Sequence, residues 1–429
     1  ILEKHSRPGG MNSFYNLQER QFDVGLHAIT NYVKKGTKNA PLSKLLKQLK
    51  LKYEDFALCE QKSSLISFPE VSLCFTNNFK TFEQEISDKF PSQKDNFCDL
   101  CKHISQFDEL NLNSTPVSAR EVVSSFISDP LLVEMLFCPL SYYGSAKEDD
   151  MDFDQFVIMF KSIFMEGFAR PKTGVRQIIN VLLKKYKACG GELRLKTGVK
   201  HINSRNGKVK SITLKNGNVL ETKKILSSAG YVETMRLTGE KIQPDNDRIG
   251  KLSFVETIYV LDREPTELGI DKAIIFYNDS KKFLYRKPDD MVDLSSGVIC
   301  CPNNFYFDNR LPEGMIRTTH IANFDLWDNP SSNDYRAQKI FWQKKSLKKI
   351  CGVVPDFTSS MVFTDMFTPK TIKRFTGRLN GAVYGSPRKI KNGKTPVENL
   401  FICGTDQGFM GIIGAMLSGI SMANLHAMN

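Results

Sequence analysis

Apolar and polar positions follow several distinct rhythms along these 429 residues. Across Arg176–Ala188 the apolar residues Ile178, Ile179, Val181, Leu182, Leu183 and Tyr186 recur at helical spacing with lysines on the other side, which predicts an amphipathic helix. Gly190-Gly191 predicts its end. Residues 192–197 read as a short strand, and Val199 opens another element. Asn206-Gly207 and Asn216-Gly217, each flanked by alternating apolar residues, predict hairpins, because such pairs accept the positive φ of a tight turn. The resulting three-stranded meander is followed by residues 224–228, a strand returning to the main sheet. Further β-rich runs occupy Ser253–Leu261 and residues 272–277, 297–301 and 315–322. Residues 60–165 read as largely helical, broken at Pro91, Pro116, Pro130 and Pro139.

The two ends of the chain carry the pattern with most chemical content. Leu400-Phe401-Ile402-Cys403 reads as a buried strand entering a glycine-rich turn, then a helix whose first turn carries Gly411 and Gly414. Small residues there let a phosphate or a ring approach backbone N–H groups where the helix dipole favours negative charge. At the other end, Ile1-Leu2-Glu3-Lys4 reads as a strand closing on an acid, followed by Arg7-Pro8-Gly9-Gly10. An acid at the tip of the second strand of a dinucleotide-binding sheet holds ribose hydroxyls. Both ends therefore read as parts of one nucleotide site. The plain structural alternatives are an exposed strand-end acid at Glu3 and a glycine-kinked core helix at 411–414.

Read together, these segments resemble the FAD-dependent oxidoreductases of the phytoene desaturase, retinol saturase and amine oxidase superfamily. Residues 2–10 are similar to the acidic strand end and R-x-G-G loop of that family. Phe22-Asp23-Val24-Gly25-Leu26-His27 is similar to its D-x-G-x-H segment near the flavin, and Arg170-Pro171-Lys172-Thr173-Gly174-Val175 to its P-x-G-G stretch, with Thr173 in place of a glycine. Residues 225–230, Thr368-Pro369-Lys370-Thr371 and Gly381-Ala382-Val383-Tyr384-Gly385 also fit, in the family's order. The family's first strand and its G-x-G-x-x-G turn would precede Ile1, and no such motif occurs in this sequence. The resemblance thus reads the chain as a fragment lacking that first βα unit.

The implied fold class is α/β: a Rossmann-like, three-layer FAD-binding domain, discontinuous in sequence, with an inserted α+β substrate domain. Residues 1–60, 165–245 and 395–429 would build the first, and residues 61–164 and 246–394 the substrate and lid domain. The resemblance implies FAD as cofactor. It places Glu3 at the adenosine ribose, Arg7, Gly9 and Gly10 near the pyrophosphate and flavin, and Val199 against the adenine through its backbone. Gly404 and Asp406 resemble the pair near the ribityl chain, though Thr405 separates them. Gly411, Ile412, Ile413 and Gly414 would set N–H groups at the flavin edge and stabilise negative charge there. The implied substrate is a small lipophilic molecule, polyene or isoprenoid-like, reacting by hydride transfer with flavin N5 in desaturation, saturation or isomerisation. A flavin amine oxidase and a non-enzymatic remnant unable to hold FAD are the alternatives. No catalytic base stands out. His27 beside apolar residues reads as a structural group, and Lys370 and Tyr384 as cavity-wall residues.

Composition narrows the remaining choices. Hydrophobic content of 41% and charged content of 25% fit a soluble globular enzyme, and the length exceeds one ordinary core. The weakly polar run 409–423 is too short to span a bilayer. A net charge of +12 comes from scattered lysines without interleaved aromatics, which argues against nucleic acid. It leaves a peripheral membrane contact open. Ten cysteines without a regular framework favour a reducing, cytoplasmic setting. Cys98-x-x-Cys101-x-His103 lacks a second ligand pair, so no metal site is expected, and Cys300-Cys301 reads as packing.

Overall fold

A computed structural model describes residues 1–112, 114–241, 243, 247–329 and 331–428. The expected domain junction at 245/246 and the terminal residue 429 lie outside the described residues. The chain starts with a parallel bridge from Leu2 to Arg194 and a hairpin of β1 (Phe14–Leu17) and β2 (Arg20–Asp23). Helix α1 (Pro41–Leu49) and β3 (Leu58–Glu60) lead to a second hairpin, β4 (Ser64–Phe68) and β5 (Val71–Phe75). A helical layer follows: α2 (Phe79–Lys89), α3 (Lys94–Gln106), α4 (Ala119–Phe126), α5 (Pro130–Gly144) and α6 (Phe153–Phe160). Strand β6 (Ala169–Pro171) pairs with β3, and α7 (Arg176–Ala188) has the bounds its apolar stripe predicts.

The predicted meander is β7 (Val199–Arg205), β8 (Lys208–Leu214) and β9 (Val219–Glu221), with Asn206-Gly207 in the first turn, both at positive φ. Strand β10 (Ile225–Ser227) and helix α8 (Tyr231–Leu237) come next, then the long strands β11 (Ser253–Leu261), β12 (Ile274–Asn278), β13 (Ser296–Cys300) and β14 (Gly314–Ala322). Helices α9 (Phe324–Asp328) and α10 (Ser332–Ile350), strand β15 (Met361–Phe367), helix α11 (Pro369–Thr376), strand β16 (Leu400–Ile402) and helix α12 (Gly411–Met422) complete the chain. β16 pairs in parallel with β10, so the C-terminal strand and the strand returning from the meander share one sheet.

The largest sheet runs β15-β11-β14-β13-β12-β4-β5, antiparallel except between β12 and β4. Every residue of β11, β12 and β13 is buried, because both faces are covered. Phe254, Ile274, Phe276, Val298 and Cys300 face the helical layer. Tyr259, Ile275, Tyr277, Ile299 and Cys301 face the end of α10 with Ile350, Val354 and Phe357. Side chains alternate along a strand, so the adjacent Cys300 and Cys301 pack on opposite faces. None of the ten cysteines is disulfide-bonded, and among the described residues no group of three or more His, Cys, Asp or Glu could hold a metal.

Three local expectations are corrected. Residues 192–197 form no strand. Arg194 meets Leu2 in a single bridge, and Lys196 turns at φ 53°, which bends the run before a ladder extends. Residues 60–165 hold the β4–β5 hairpin as well as helices. Its Pro69-Glu70 turn puts Glu70 at φ 69° without the Asn or Gly that usually signals such a turn. Strand β15 has no counterpart among the β-rich runs read from the sequence. It lies at the sheet edge with Val362 exposed, so its apolar alternation is weak.

Candidate functional site

A mostly apolar cavity of about 520 Å³ lies where the two chain ends meet the helical-layer face of the large sheet. The segment from His5 to Asn16 lines one part, with Arg7, Gly10 and Met11. The start of α12 supplies Gly411, Ile412 and Ala415. Phe254 and Glu256 of β11, Val298 of β13 and Thr319 of β14 supply another wall. The loop after β2 enters between them with Gly25, His27 and Thr30.

That loop is held by two buried guanidinium groups. Arg170 donates to the carbonyl oxygens of Leu26 (2.7 Å) and His27 (2.8 Å) and to Asp23 (2.6 Å). Arg317 donates to the carbonyls of Leu26 (3.0 Å) and Val24 (2.6 Å). The other oxygen of Asp23 accepts the N–H of Val175 at 3.0 Å. Gly174 takes φ 74°, and a Cβ there would lie 2.5 Å from the Asp23 carboxylate. Thus the aspartate of one sequence motif is bound by the arginine and the Val175 amide of the other, and Gly174 leaves room for it.

The sheet register explains the polar wall. Thr319 is paired with Glu256 on one side and Val298 on the other, and in the neighbouring row Arg317 lies between Ile258 and Cys300. Residues two apart on a strand share a face, so Glu256 and Arg317 meet diagonally. Arg317 binds the Glu256 carboxylate through Nε and Nη2. The remaining oxygen faces His27 Nε2 at 3.5 Å, and Thr319 Oγ1 lies 3.2 Å from the same nitrogen. Burial pushes the Glu256 carboxyl up, but Arg317 and His27 outweigh it and hold the group below its ordinary range. Tyr143 lines the cavity with its ring 6.2 Å from that of His27. Its hydroxyl is buried without a hydrogen-bond partner among the described residues, and burial pushes its pKa well up.

The N-terminus of α12 is open to a ligand. Met410 at the N-cap makes no side-chain capping bond, and no acid occupies the first turn. The leading N–H groups of a helix have no partner within it, and they carry its positive dipole end. Gly411 sits at φ 69° on the cavity wall, where a side chain would be strained and would approach Thr30 Oγ1. An electron-rich edge fits here.

His27 and Tyr384 lie on this cavity, and Lys370, expected on its wall, does not; of the cofactor residues that the resemblance implies, Arg7, Gly10, Gly411 and Ile412 lie on it. The others lie off its wall. Glu3 accepts the N–H of His5 at 2.9 Å, and its carbonyl accepts from Thr197. Gly9 lies against Ile179 of α7, and Val199 packs with Ile202, Val209 and Leu400. The Gly404 N–H donates to Ser418 Oγ at 2.7 Å, Ile413 is in the core with Leu42 and Leu45, and Gly414 abuts the backbone of Phe409. Asp406 is buried with both oxygens committed: to Arg378 (2.9 Å) and the Ser386 N–H (3.0 Å), and to the Tyr231 N–H (2.7 Å).

The chain is similar over 99% of its length to the chloroplastic prolycopene isomerase of Daucus carota, at 22% identity and 75% of that protein. It is similar over the same share to that of Arabidopsis thaliana, at 23% identity and 78% of that protein. The all-trans-retinol 13,14-reductase of Danio rerio is 20% identical over 99% of this chain and 81% of its own. The chain is a distant full-length homologue of these enzymes. Among solved structures, an oxidoreductase from Methanosarcina mazei matches with a TM-score of 0.65 at 15% identity, over 99% of this chain and 93% of that one. A putrescine oxidase variant matches with a TM-score of 0.61 at 13% identity, over 100% and 93%. The fold of this homologue is accordingly that of the FAD-dependent, amine oxidase-like oxidoreductases. No protein-family model matches. No helix among the described residues is long and apolar enough to cross a membrane.

Sequence reading missed Glu256, Arg317 and Thr319. A signal was present: one acid inside the apolar run 253–261 and one arginine inside 314–322, each at a position that a fully covered strand would fill with an apolar side chain.

Proposed function

We propose that this chain is an FAD-dependent oxidoreductase acting on a lipophilic, polyene or isoprenoid-like substrate by desaturation, saturation or isomerisation. The observation that carries the reading is the meeting of the two chain ends and the sheet face in one mostly apolar cavity with the uncapped start of α12 on its wall. Arg7, Gly10, Gly411 and Ile412 would hold the flavin, with the α12 amides at its electron-rich edge and Glu3 toward the ribose. When bound, it supplies a two-electron hydride acceptor or donor. The protein positions the substrate against it and excludes water, with Phe254, Val298 and Tyr384 as apolar wall.

The wall also favours a neutral substrate over an amine. Its acid, Glu256, is neutralised by Arg317, and no lysine among the described residues lines the cavity. A cationic amine would find no unspent negative charge there. Phe375 of α11 lines the cavity yet is half exposed, beside Lys370, Lys373 and Arg374. This supports substrate collection from an anionic membrane surface.

The test is titration with FAD, read by quenching of flavin fluorescence, in the native chain and in Gly411→Val. Wild-type protein should take up flavin. The variant, strained at positive φ by about 1–3 kcal/mol, should bind roughly ten-fold or more weakly. A folded wild-type chain that takes up no flavin would be the non-enzymatic remnant.

A further inference from the structure

We propose that His27 is the proton-exchanging residue of this cavity, with Glu256 and Thr319 positioning its ring. The inference rests on the polyene reading above and names the residue that reading leaves open. Dehydrogenation of a carbon–carbon bond removes a hydride from one carbon and a proton from its neighbour. A two-electron acceptor of the flavin class accounts for the hydride. The proton needs a base on the cavity wall, and saturation needs the same group as an acid.

The other polar groups of the wall are poorly suited. Glu256 is tied to Arg317, Arg7 donates to the Phe14 carbonyl at 3.0 Å, the Tyr384 hydroxyl donates to the Tyr142 carbonyl, and His5, the other imidazole on the wall, is bonded through Nε2 to the Phe375 carbonyl beside the half-exposed Phe375 ring. The Tyr143 hydroxyl is a poor proton acceptor. Imidazole alone among unperturbed side chains exchanges its proton near neutrality.

The setting of His27 also matches the role. Nε2 faces the Glu256 carboxylate and Thr319, which assigns its proton to that nitrogen and leaves the lone pair on Nδ1. Substrate C–H breaks as Nδ1–H forms, and the former C–H electrons become the second bond of the new C=C. The imidazolium produced lies against Glu256. The groups around it are Glu256 of β11, Thr319 of β14 and Tyr143 of α5. Behind it, Arg170 and the Cys300 thiol hold its own carbonyl, Arg317 holds Glu256, and Asp23 balances Arg170. The two arginines thus stand against main-chain oxygens and carboxylates, not against the ring.

The experiment uses the full chain supplied with dithionite-reduced FAD and all-trans-retinol as the polyene probe. Diethyl pyrocarbonate labelling, mapped by mass spectrometry, should mark His27 in the free protein and lose that mark when the probe is bound. In D2O, deuterium should enter the saturated product at the carbon that the imidazolium protonates while hydride reaches its neighbour. His27→Gln should lower that incorporation by on the order of 100-fold or more, while flavin and probe binding stay within about two-fold of wild type. Thr319→Val, which leaves the ion pair intact, should shift the pH profile of incorporation without removing it. A His27→Gln protein incorporating deuterium at the wild-type rate, or a His27 label indifferent to the probe, overturns this inference and leaves the flavin reading standing. A wild-type chain that binds neither flavin nor probe sinks that reading and this one with it.

Discussion

Glu256–Arg317 and Asp406–Arg378 are both buried carboxylate–guanidinium pairs. In the first, the arginine reaches onward to main-chain carbonyls, and the spare carboxylate oxygen faces His27 and the cavity. In the second, the carboxylate reaches onward to the main-chain N–H groups of Tyr231 and Ser386. It borders a crevice of about 10 Å³, roughly one water's room. Each pair also has a third ionisable neighbour, His27 in one case and Lys389 in the other. The difference shows that a buried ion pair becomes chemically useful through what its spare valences face. One pair holds a histidine on the cavity wall, and the other staples three loops.

The largest effects come from breaking either pair on one side. Arg317→Met and Arg378→Met should each cost about 3–5 kcal/mol, since both strand a buried carboxylate. Denaturant unfolding measures this, and a near-neutral variant would mean that its pair is open to water. At Arg378 the loss includes Glu233, which the guanidinium also attracts and which burial already pushes upward.

Removing both partners separates the two designs. Glu256→Leu with Arg317→Met leaves no stranded charge; it strips Arg317 from the Val24 and Leu26 carbonyls, of which Leu26 keeps Arg170, so it should recover the larger part of the single-variant loss but not all of it. Asp406→Leu with Arg378→Met leaves the Tyr231 and Ser386 N–H groups without an acceptor, at about 1–3 kcal/mol each, and should remain clearly destabilised. Equal recovery at both sites would break the distinction drawn here between a carboxylate that serves a side chain and one that serves the backbone.

How far this contrast was legible in sequence follows from the range of the interactions. The α7 stripe, the Asn-Gly turns and the run of β11 are local patterns, and the fold realises each where the residues place it. The segments around His27 and Gly411 were likewise visible, because glycine and histidine stand out within a few residues. Glu256 meets Arg317 only through the pairing of two strands 61 residues apart, and a single charge in an apolar run does not say which strand lies beside it. The β4–β5 turn was missed for the opposite reason: the signal is local but made by Pro69-Glu70, a pair that specifies no single conformation. Asp406 stood out by motif, but its partners lie in three other segments, at Tyr231, Arg378 and Ser386.

The smallest effect concerns the third partners. Burial pushes Lys389 down from 10.5 to about 7, against the attraction of Asp406, and its ammonium donates to the Tyr384 carbonyl at 2.7 Å. Between those two values the unfolded chain keeps a proton that the folded chain has released, so this group makes stability rise with pH across that window. Below about pH 7 both states are charged, and the cost of holding the cation in the protein is felt in full. Lys389→Met removes the titration while keeping a side chain of similar length. The stability difference between variant and wild type should therefore favour the variant most below pH 7 and narrow steadily toward pH 10. Taking the difference cancels groups common to both chains, such as Glu166, which burial lifts to about 7. A gap between Lys389→Met and wild type that stays constant with pH would mean that Lys389 keeps its proton in the fold, and that the Asp406–Arg378 pair is wetter than its hydrogen bonds indicate.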